Sequence, residues 1–410
     1  MSKNIIKSLY ISYNAVTEPI VESQVIPYLK GLSRRGIKFY LLTFEKKRTG
    51  KNEKSRIRCI LDKQFAGGIK PEWFYLNYHK RPTVPATIFD IAIGIIYSIY
   101  ITMRHKIDII HARAIVSALI GYPAARLLSK KFIFDTRGID SEEYVDAGLW
   151  KRGGLTHKIV GFLENALIKS SDYVTVLTEK FLEILKKKHQ NKRIKFSVVP
   201  CAVDTEAFKP KDENMLARKL GIQDKTVLGY IGSLGTWYML PEMIDFFKCA
   251  VKLDKDIHFL ILTQTDKEYA IRLIRKKGLD TTHVTVDTVT YDSMPIYLSL
   301  CKAGIFFIKP VFSKISSSPV KFGEYLASGL PVVINRGVGD TEEIVRQNRV
   351  GIIVENFDEP SYNKAFNDLT KLLEDKHLPE RCGLTAEKYL SLKRAIDKYE
   401  NIYKTLSHKT

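Results

Sequence analysis

This sequence has no pair of cysteines spaced to clasp a metal or to open a disulfide framework. Cys59, Cys201, Cys249, Cys301 and Cys382 stand apart, with no CxxC and no zinc spacing. An odd set of isolated thiols fits a reduced, intracellular protein. No Gly/Ser, Pro-rich or single-charge tract occurs, which excludes long disordered linkers. No Gly-x-Gly-x-x-Gly follows an early strand with a later acidic ribose partner, which disfavours a Rossmann oxidoreductase. The opening MSKNIIKSLYISYN holds only a short strand-like apolar stretch without a small-residue cleavage site, so no signal peptide is expected.

What is present is a chain of 410 residues, long enough for two or three domains, with 45% hydrophobic residues to fill their cores. The net charge of +20 is lopsided. Residues 1–200 carry 35 Lys and Arg against 17 Asp and Glu, whereas residues 201–410 carry 30 against 28. A basic first half suits an anionic partner such as lipid headgroups, a lipid pyrophosphate or nucleic acid, or else is a solvated surface that aids solubility. No nucleic-acid motif accompanies the charge, so nucleic acid is not expected. The apolar segment Val84 to Met103 has nearly membrane-spanning length, but Asp90 interrupts it. It fits a buried helix best, a membrane-surface helix next and a span least.

Strand and helix patterns alternate, which predicts α/β architecture with parallel sheets. Strands are expected at Lys7–Ser12, Lys38–Phe44, Asp108–His111, Phe132–Asp135, Tyr173–Leu177 and Phe196–Val199, with one helix over Val21–Arg35 and Thr178 as a helix cap. The pattern restarts after Pro210, with strands at Val227–Ile231, His258–Leu262, Val284–Val286, Gly304–Ile308 and Pro331–Asn335. Two doubly wound, Rossmann-like domains follow, at 1–205 and 206–385, facing a central cleft with ligands at the carboxyl ends of the strands. A final helix, 386–410, is expected to pack back on the first domain.

The stretch Ser316 to Asn335, SSSPVKFGEYLASGLPVVIN, carries the most chemistry. Ser318 is a good N-cap, Pro319 a good first helical residue and Gly329 a good left-handed stop. The helix between them offers free amides and its positive dipole end, a candidate diphosphate site, with Ser317 and Ser318 as further donors. Lys321 in the first turn opposes the dipole and so suggests an anion nearby. Glu324, on the same face, can accept two hydrogen bonds from vicinal sugar hydroxyls. An ordinary capped helix with a surface Lys–Glu pair is the alternative.

This stretch resembles the donor-binding motif of glycosyltransferase family 4. The whole chain resembles that family, through IDIIHARAIV, VVPCAVDTEAF, YIGSL, SPVKFGEYLASGLPVV and GVGDTEEIV in that order. The resemblance implies a GT-B fold, no metal or other cofactor beyond the nucleotide-sugar co-substrate, and retention of configuration. It places the donor ribose on Glu324, the diphosphate at Ser317, Ser318 and Lys321, and the base beside Val289 or Thr290. Gly232, Ser233 and Thr236, after the YIGSL strand, and Ser316 are counted with the donor site. Here Ser316 stands where the family often has a first glutamate, and Gly232 to Trp237 lacks the family's usual Arg and Lys.

His111, Arg113, Asp135 and Arg137 are expected at strand ends on the first domain's side of the cleft. His111 can bond a sugar hydroxyl and Arg113 can clamp a phosphate. The four can equally form an internal strand-end network. Together these features describe a retaining glycosyltransferase moving a sugar from a nucleotide-sugar, with UDP favoured, to a lipid-linked or surface-polysaccharide acceptor. The expected place is the cytoplasm, at the inner membrane face. A nucleotide-sugar epimerase and a binding protein that has lost turnover are the alternatives.

Overall fold

The computed structural model describes residues 5–46, 50–79, 81–190, 194–264 and 266–407. The chain divides into two compact units, one comprising residues up to Pro200 together with those from Leu392 onward, the other comprising Cys201–Ser391. The sequence expectation set these boundaries at 205/206 and 385/386.

The first unit runs β1 (Ile6–Ser12), α1 (Pro19–Gln24), α2 (Ile26–Ser33), β2 (Ile37–Glu45), α3 (Lys51–Gln64), β3 (Glu72–Asn77), α4 (Thr83–His105), β4 (Ile109–Arg113), α5 (Ala114–Leu127), β5 (Lys131–Asp135), α6 (Asp140–Asp146), α7 (Leu155–Ser170), β6 (Tyr173–Val176), α8 (Glu179–Lys188) and β7 (Lys195–Val198). The second runs α9 (Asn214–Leu220), β8 (Thr226–Ile231), α10 (Leu240–Leu253), β9 (Ile257–Leu262), α11 (Lys267–Lys276), β10 (Val284–Asp287), α12 (Met294–Ser299), β11 (Ala303–Phe306), α13 (Val320–Ala327), β12 (Val332–Asn335), α14 (Thr341–Asn348), β13 (Gly351–Val354), α15 (Glu359–Leu373) and α16 (Leu378–Leu390). A last helix, α17 (Leu392–Ser407), belongs to the first unit.

Both sheets are wholly parallel, ordered β3-β2-β1-β4-β5-β6-β7 and β10-β9-β8-β11-β12-β13. Each order reverses direction beside its first strand, and such a switch point leaves a crevice at the carboxyl edge.

The first sheet has two unlike faces, and period-two alternation creates them. Leu9, Ile11, Ile110, Phe132, Phe134 and Val174 point into the core beneath α5 and α7. Tyr10, His111, Arg113, Asp135 and Thr175 lie on the opposite face, in register across β1, β4, β5 and β6. Tyr399 and Tyr403 of α17 cover that polar face.

Three expectations change. The single helix over Val21–Arg35 is two helices, α1 and α2, because Pro27 lacks an N–H and its ring clashes with the preceding turn; Val25 breaks out of helical geometry at φ −126°. The C-terminal helix expected from Ala386 to Lys404 is broken at Ser391, which bridges to Val203. β3 and β13 were not foreseen. β3 is a half-buried edge strand whose EWFYLN shows no alternation, and β13 is only four residues long. Thr178 caps α8 as expected, accepting from the Phe181 amide at 3.2 Å.

The second sheet depends on one phenol. β11 pairs with β8 only at Ala303–Leu228 and Gly304–Gly229. The Tyr325 hydroxyl continues the pairing, accepting from Ile231 N at 2.9 Å and donating to Gly229 O at 3.0 Å. Gly304 makes room, since a Cβ there would meet the Tyr325 ring at 2.4 Å. Tyr325→Phe leaves a buried N–H and C=O unpaired and is expected to lower stability by about 1–3 kcal/mol in a denaturant titration.

Candidate functional site

In the second unit, β8 ends at Ile231 and Gly232 follows with φ +125°. A Cβ at Gly232 would lie 2.7 Å from Lys321 Nζ, so a glycine is what lets this ammonium reach the strand end. Lys321, in the first turn of α13, is only 6% exposed. Its Nζ has no hydrogen-bond partner among the described residues and lies 4.2 Å from the Tyr230 ring centroid and 3.5 Å from that of Tyr238. Two aromatic faces attract a cation by about 0.5–2 kcal/mol each but accept no hydrogen bond of ordinary strength. Burial lowers the Lys321 pKa well below its ordinary value, with Glu324 opposing the shift.

Glu324, one turn further, is also buried. Burial pushes its carboxyl up to about 7, and Lys321 pulls the other way. Both residues are thus held where burial favours the neutral forms, and a polyanion beside Lys321 would restore its charge.

One of the motif's serines departs from its expected capping role. The Ser318 hydroxyl does not cap α13 but accepts from the Cys201 amide at 3.2 Å. The N-cap is Pro319, and no side chain caps the first turn. The amide end of an eight-residue helix is therefore left without a side-chain partner beside an unpartnered ammonium. The buried Ser316 hydroxyl donates to Ser313 O at 2.7 Å, so it is engaged locally. Ser317 is half-buried beside it. Gly329 has φ +75°, the left-handed stop expected.

The loop after β8 turns tightly through Gly235 (φ +84°) and Thr236 (φ +53°). A β-branched residue in that region is strained, and such strain concentrates at functional sites. The turn presents Trp237 and Tyr238. Ser233 lends its carbonyl to the Tyr230 hydroxyl. The Lys314 ammonium, buried, stands 3.7 Å from the Trp237 centroid. Tyr230, Trp237, Tyr238 and Lys314 were not among the candidate site residues; the Tyr-rich YIGSLGTWY stretch hinted at the first three, and nothing hinted at Lys314. Val289 and Thr290 follow β10 at the far edge of the sheet, where Val289 O accepts from Gln264 Nε2 at 3.3 Å and Thr290 Oγ1 pairs with Ser293 Oγ at 3.0 Å.

In the first unit the structure brings His111, Arg113, Asp135 and Arg137 together. His111 Nδ1 hydrogen-bonds the Tyr403 hydroxyl at 2.8 Å, and Nε2 lies 4.0 Å from Asp135 Oδ2. Burial lowers its pKa from 6.5 to about 4, and the Asp135 carboxylate opposes this. Asp135 accepts from Thr175 Oγ1 at 2.8 Å and from Arg137 Nη1 at 3.4 Å. Burial pushes its carboxyl up, but Arg137, His111 and Arg113 outweigh that and hold it below the usual range. His111 is thus an interior, neutral member of the network. Arg113 Nε is buried with no hydrogen-bond partner among the described residues.

Next to Arg113, Ala114 has φ +64°, a second strained position. Two acids that the sequence reading passed over adjoin it. Burial, with Glu164 and Glu143 adding to it, pushes the Asp140 carboxyl up to about 8, against a backbone hydrogen bond from Ile115. Glu164 takes the Asp140 amide and the Ser141 hydroxyl.

Replacing Lys321 by Met is expected to stabilise the free protein by about 1–4 kcal/mol, because an unpaired buried cation becomes an apolar chain. The gain should grow as the pH falls below 10.5, since the unfolded chain protonates Lys321 more readily than the folded one. Calorimetry against pH measures it. His111, whose pKa is depressed, contributes stability that is full above pH 6.5 and is lost as the pH falls through about 4. His111→Gln should flatten that part of the melting-temperature profile, leaving the similar contribution of His258, also depressed to about 4 by burial.

Comparison with known proteins agrees with this geometry. The family model "Glycosyltransferase Family 4" matches residues 21–207, and "Glycosyl transferases group 1" matches residues 212–389. No protein of curated function matches the sequence. Among solved structures, sucrose-phosphate synthase from Thermosynechococcus elongatus has a TM-score of 0.74 at 14% identity, covering 98% of this chain and 99% of its own. A glycosyltransferase from Rickettsia africae scores 0.73 at 15% identity, covering 99% and 100%. Anabaena HepE, solved with UDP and glucose, scores 0.69 at 15% identity, covering 98% and 100%. The chain therefore belongs to glycosyltransferase family 4 and is a transferase with the GT-B fold.

Proposed function

We propose that the protein transfers a sugar from a UDP-sugar to a lipid-linked or surface-polysaccharide acceptor, with retention of configuration and without a metal. The observation that carries this reading is the buried Lys321 Nζ, which has no hydrogen-bond partner among the described residues, beside the start of α13, which no side chain caps. A diphosphate supplies the missing acceptor. HepE, similar in fold, was solved with UDP and with UDP-glucose, which supports UDP as the nucleotide.

In this reading the α13 amides and Lys321 hold the diphosphate and stabilise its charge as the bond from the anomeric carbon to phosphate oxygen breaks. Glu324 accepts the ribose hydroxyls, for which it must be ionised. The Lys321 charge restored by the diphosphate lowers its pKa, so both residues switch to their charged forms when the donor binds. The acceptor oxygen bonds to the anomeric carbon on the face the phosphate leaves, and the departing diphosphate oxygen takes the acceptor proton. No side-chain base is required. Gly232, Ser233, Thr236, Ser317 and Ser318 shape the donor pocket, and Val289 and Thr290 border the base.

On the acceptor side, Arg113 and Arg137 bind an anionic group, and the neutral His111 with Asp135 positions them. The basic first half and a reduced-thiol composition support action in the cytoplasm, at the inner membrane face.

The experiment is incubation with UDP-sugars and candidate acceptors, followed by assignment of the product anomer. Retention is expected, and an inverted product overturns the mechanism. A new sugar nucleotide formed without acceptor would instead indicate an epimerase. Lys321→Ala with Glu324→Ala should lower kcat/KM by roughly a thousandfold or more. Full turnover by that double variant contradicts the assignment.

A further inference from the structure

α4 is amphipathic in the reverse sense for a helix facing water. Its inward row, Ala86, Asp90, Gly94, Ser98 and Thr102, repeats every four residues, is small or polar, and is buried. Gly94 lies flat against α5, since a Cβ there would meet Ile120 Cδ1 at 2.9 Å. Asp90 is held from inside, by His79 Nδ1 at 2.6 Å and the Tyr13 hydroxyl at 2.7 Å. The Ser98 and Thr102 hydroxyls are buried without hydrogen-bond partners among the described residues. Ile101 is buried with this row, and Ile91 and Ile99 pack against the core, but other bulky apolar residues point outward. Ile88 is 61% exposed, Ile96 65%, Tyr100 56% and Met103 63%, with Val84 and Phe89 on the same open side. Water-facing helices place such residues inward, and a contiguous exposed row of this kind marks an interaction surface.

The row cannot be a span. β3 and β4 flank α4, and both pair within one sheet, β3 with β2 and β4 with β1. A crossing would place them on opposite sides of a bilayer. Cations bracket the row, with Arg81 before it and Arg104 and Lys106 after it, all exposed. A second copy of this basic surface would bring like charge against it, whereas an anionic headgroup layer complements it. On α7, which packs on α5 as α4 does, Leu155, Ile159 and Phe162 form another exposed apolar row beside Lys158.

We infer that α4 docks the protein on an anionic lipid bilayer, lying at the boundary between headgroups and acyl chains with its apolar side inward. The inference rests on the membrane-face location proposed above and adds the surface that meets the lipid. The first unit's carboxyl edge is tied to this helix through Tyr13 and Asp90, so docking holds that edge near the bilayer.

The test is sedimentation of the full chain with vesicles of phosphatidylcholine alone and mixed with phosphatidylglycerol, for the wild type and for Ile96→Glu with Tyr100→Glu. Both positions are exposed, so an unchanged melting temperature is the folding control. The wild type should pellet with the anionic vesicles, and the variant should partition at least about tenfold less. A wild type that stays in solution, or a variant that pellets equally, overturns the proposal. So does a wild-type dimer that the variant renders monomeric without any vesicle dependence. Transfer to soluble glycans alone by a protein that pellets through α4 would refute the lipid-linked acceptor and leave the docking standing. Transfer to a lipid-linked acceptor in detergent, with no vesicle binding, would refute only the docking.

Discussion

A lysine ammonium taken out of water without a hydrogen-bond acceptor costs several kcal/mol, and the second unit holds Lys321 where that cost drives its pKa well below the ordinary value. Gly232 leaves the space that a side chain would fill. Tyr230 and Tyr238 give two aromatic faces, and the Tyr230 hydroxyl is fastened to Ser233 O. The Tyr325 hydroxyl ties β8 to the helix that carries Lys321. The ammonium can neither swing out to solvent nor collapse onto a carbonyl without disturbing several of these contacts. The strain at Thr236 and the raised Glu324 carboxyl belong to the same arrangement. A site organised before its ligand arrives loses less on binding, which is what stabilising a leaving diphosphate requires.

The first unit handles buried charge in the opposite way. Asp135 sits among Arg137, Arg113 and Thr175, so its charge is compensated inside the protein. α17 covers the polar face of the sheet, burial favours the neutral form of His111, and the Tyr403 hydroxyl hydrogen-bonds its Nδ1. The result is a rigid polar platform rather than a reactive histidine. The buried Nε of Arg113, without a partner among the described residues, and the strained Ala114 stand side by side at the end of β4.

Most of the architecture was legible because parallel sheets buried on both faces write short apolar strands between helical repeats. β3 escaped because an edge strand is under weak patterning pressure, and α1 and α2 were merged because the periodicity continues across Pro27. Lys321 and Glu324 drew notice in the sequence because they stand in a motif whose spacing is chemical, and Gly232 because it follows the YIGSL strand. Tyr403, Tyr238, Lys314 and Asp140 did not, since each acts through a contact made far along the chain or through burial that no local pattern records. Ser318 shows the converse. Its local signal for capping was good, and a tertiary contact with Cys201 overrode it. The outward face of α4 was visible as an apolar run, but only its packing against α5 showed which side is inward.

The most direct measurement is a crystal structure of the full chain bound to UDP or a non-transferable UDP-sugar. The account predicts the diphosphate at the first turn of α13, with an oxygen within hydrogen-bond reach of Lys321 Nζ and the ribose on Glu324. Nucleotide density elsewhere, or a bound nucleotide that leaves the Lys321 ammonium enclosed only by Tyr230 and Tyr238, would contradict it.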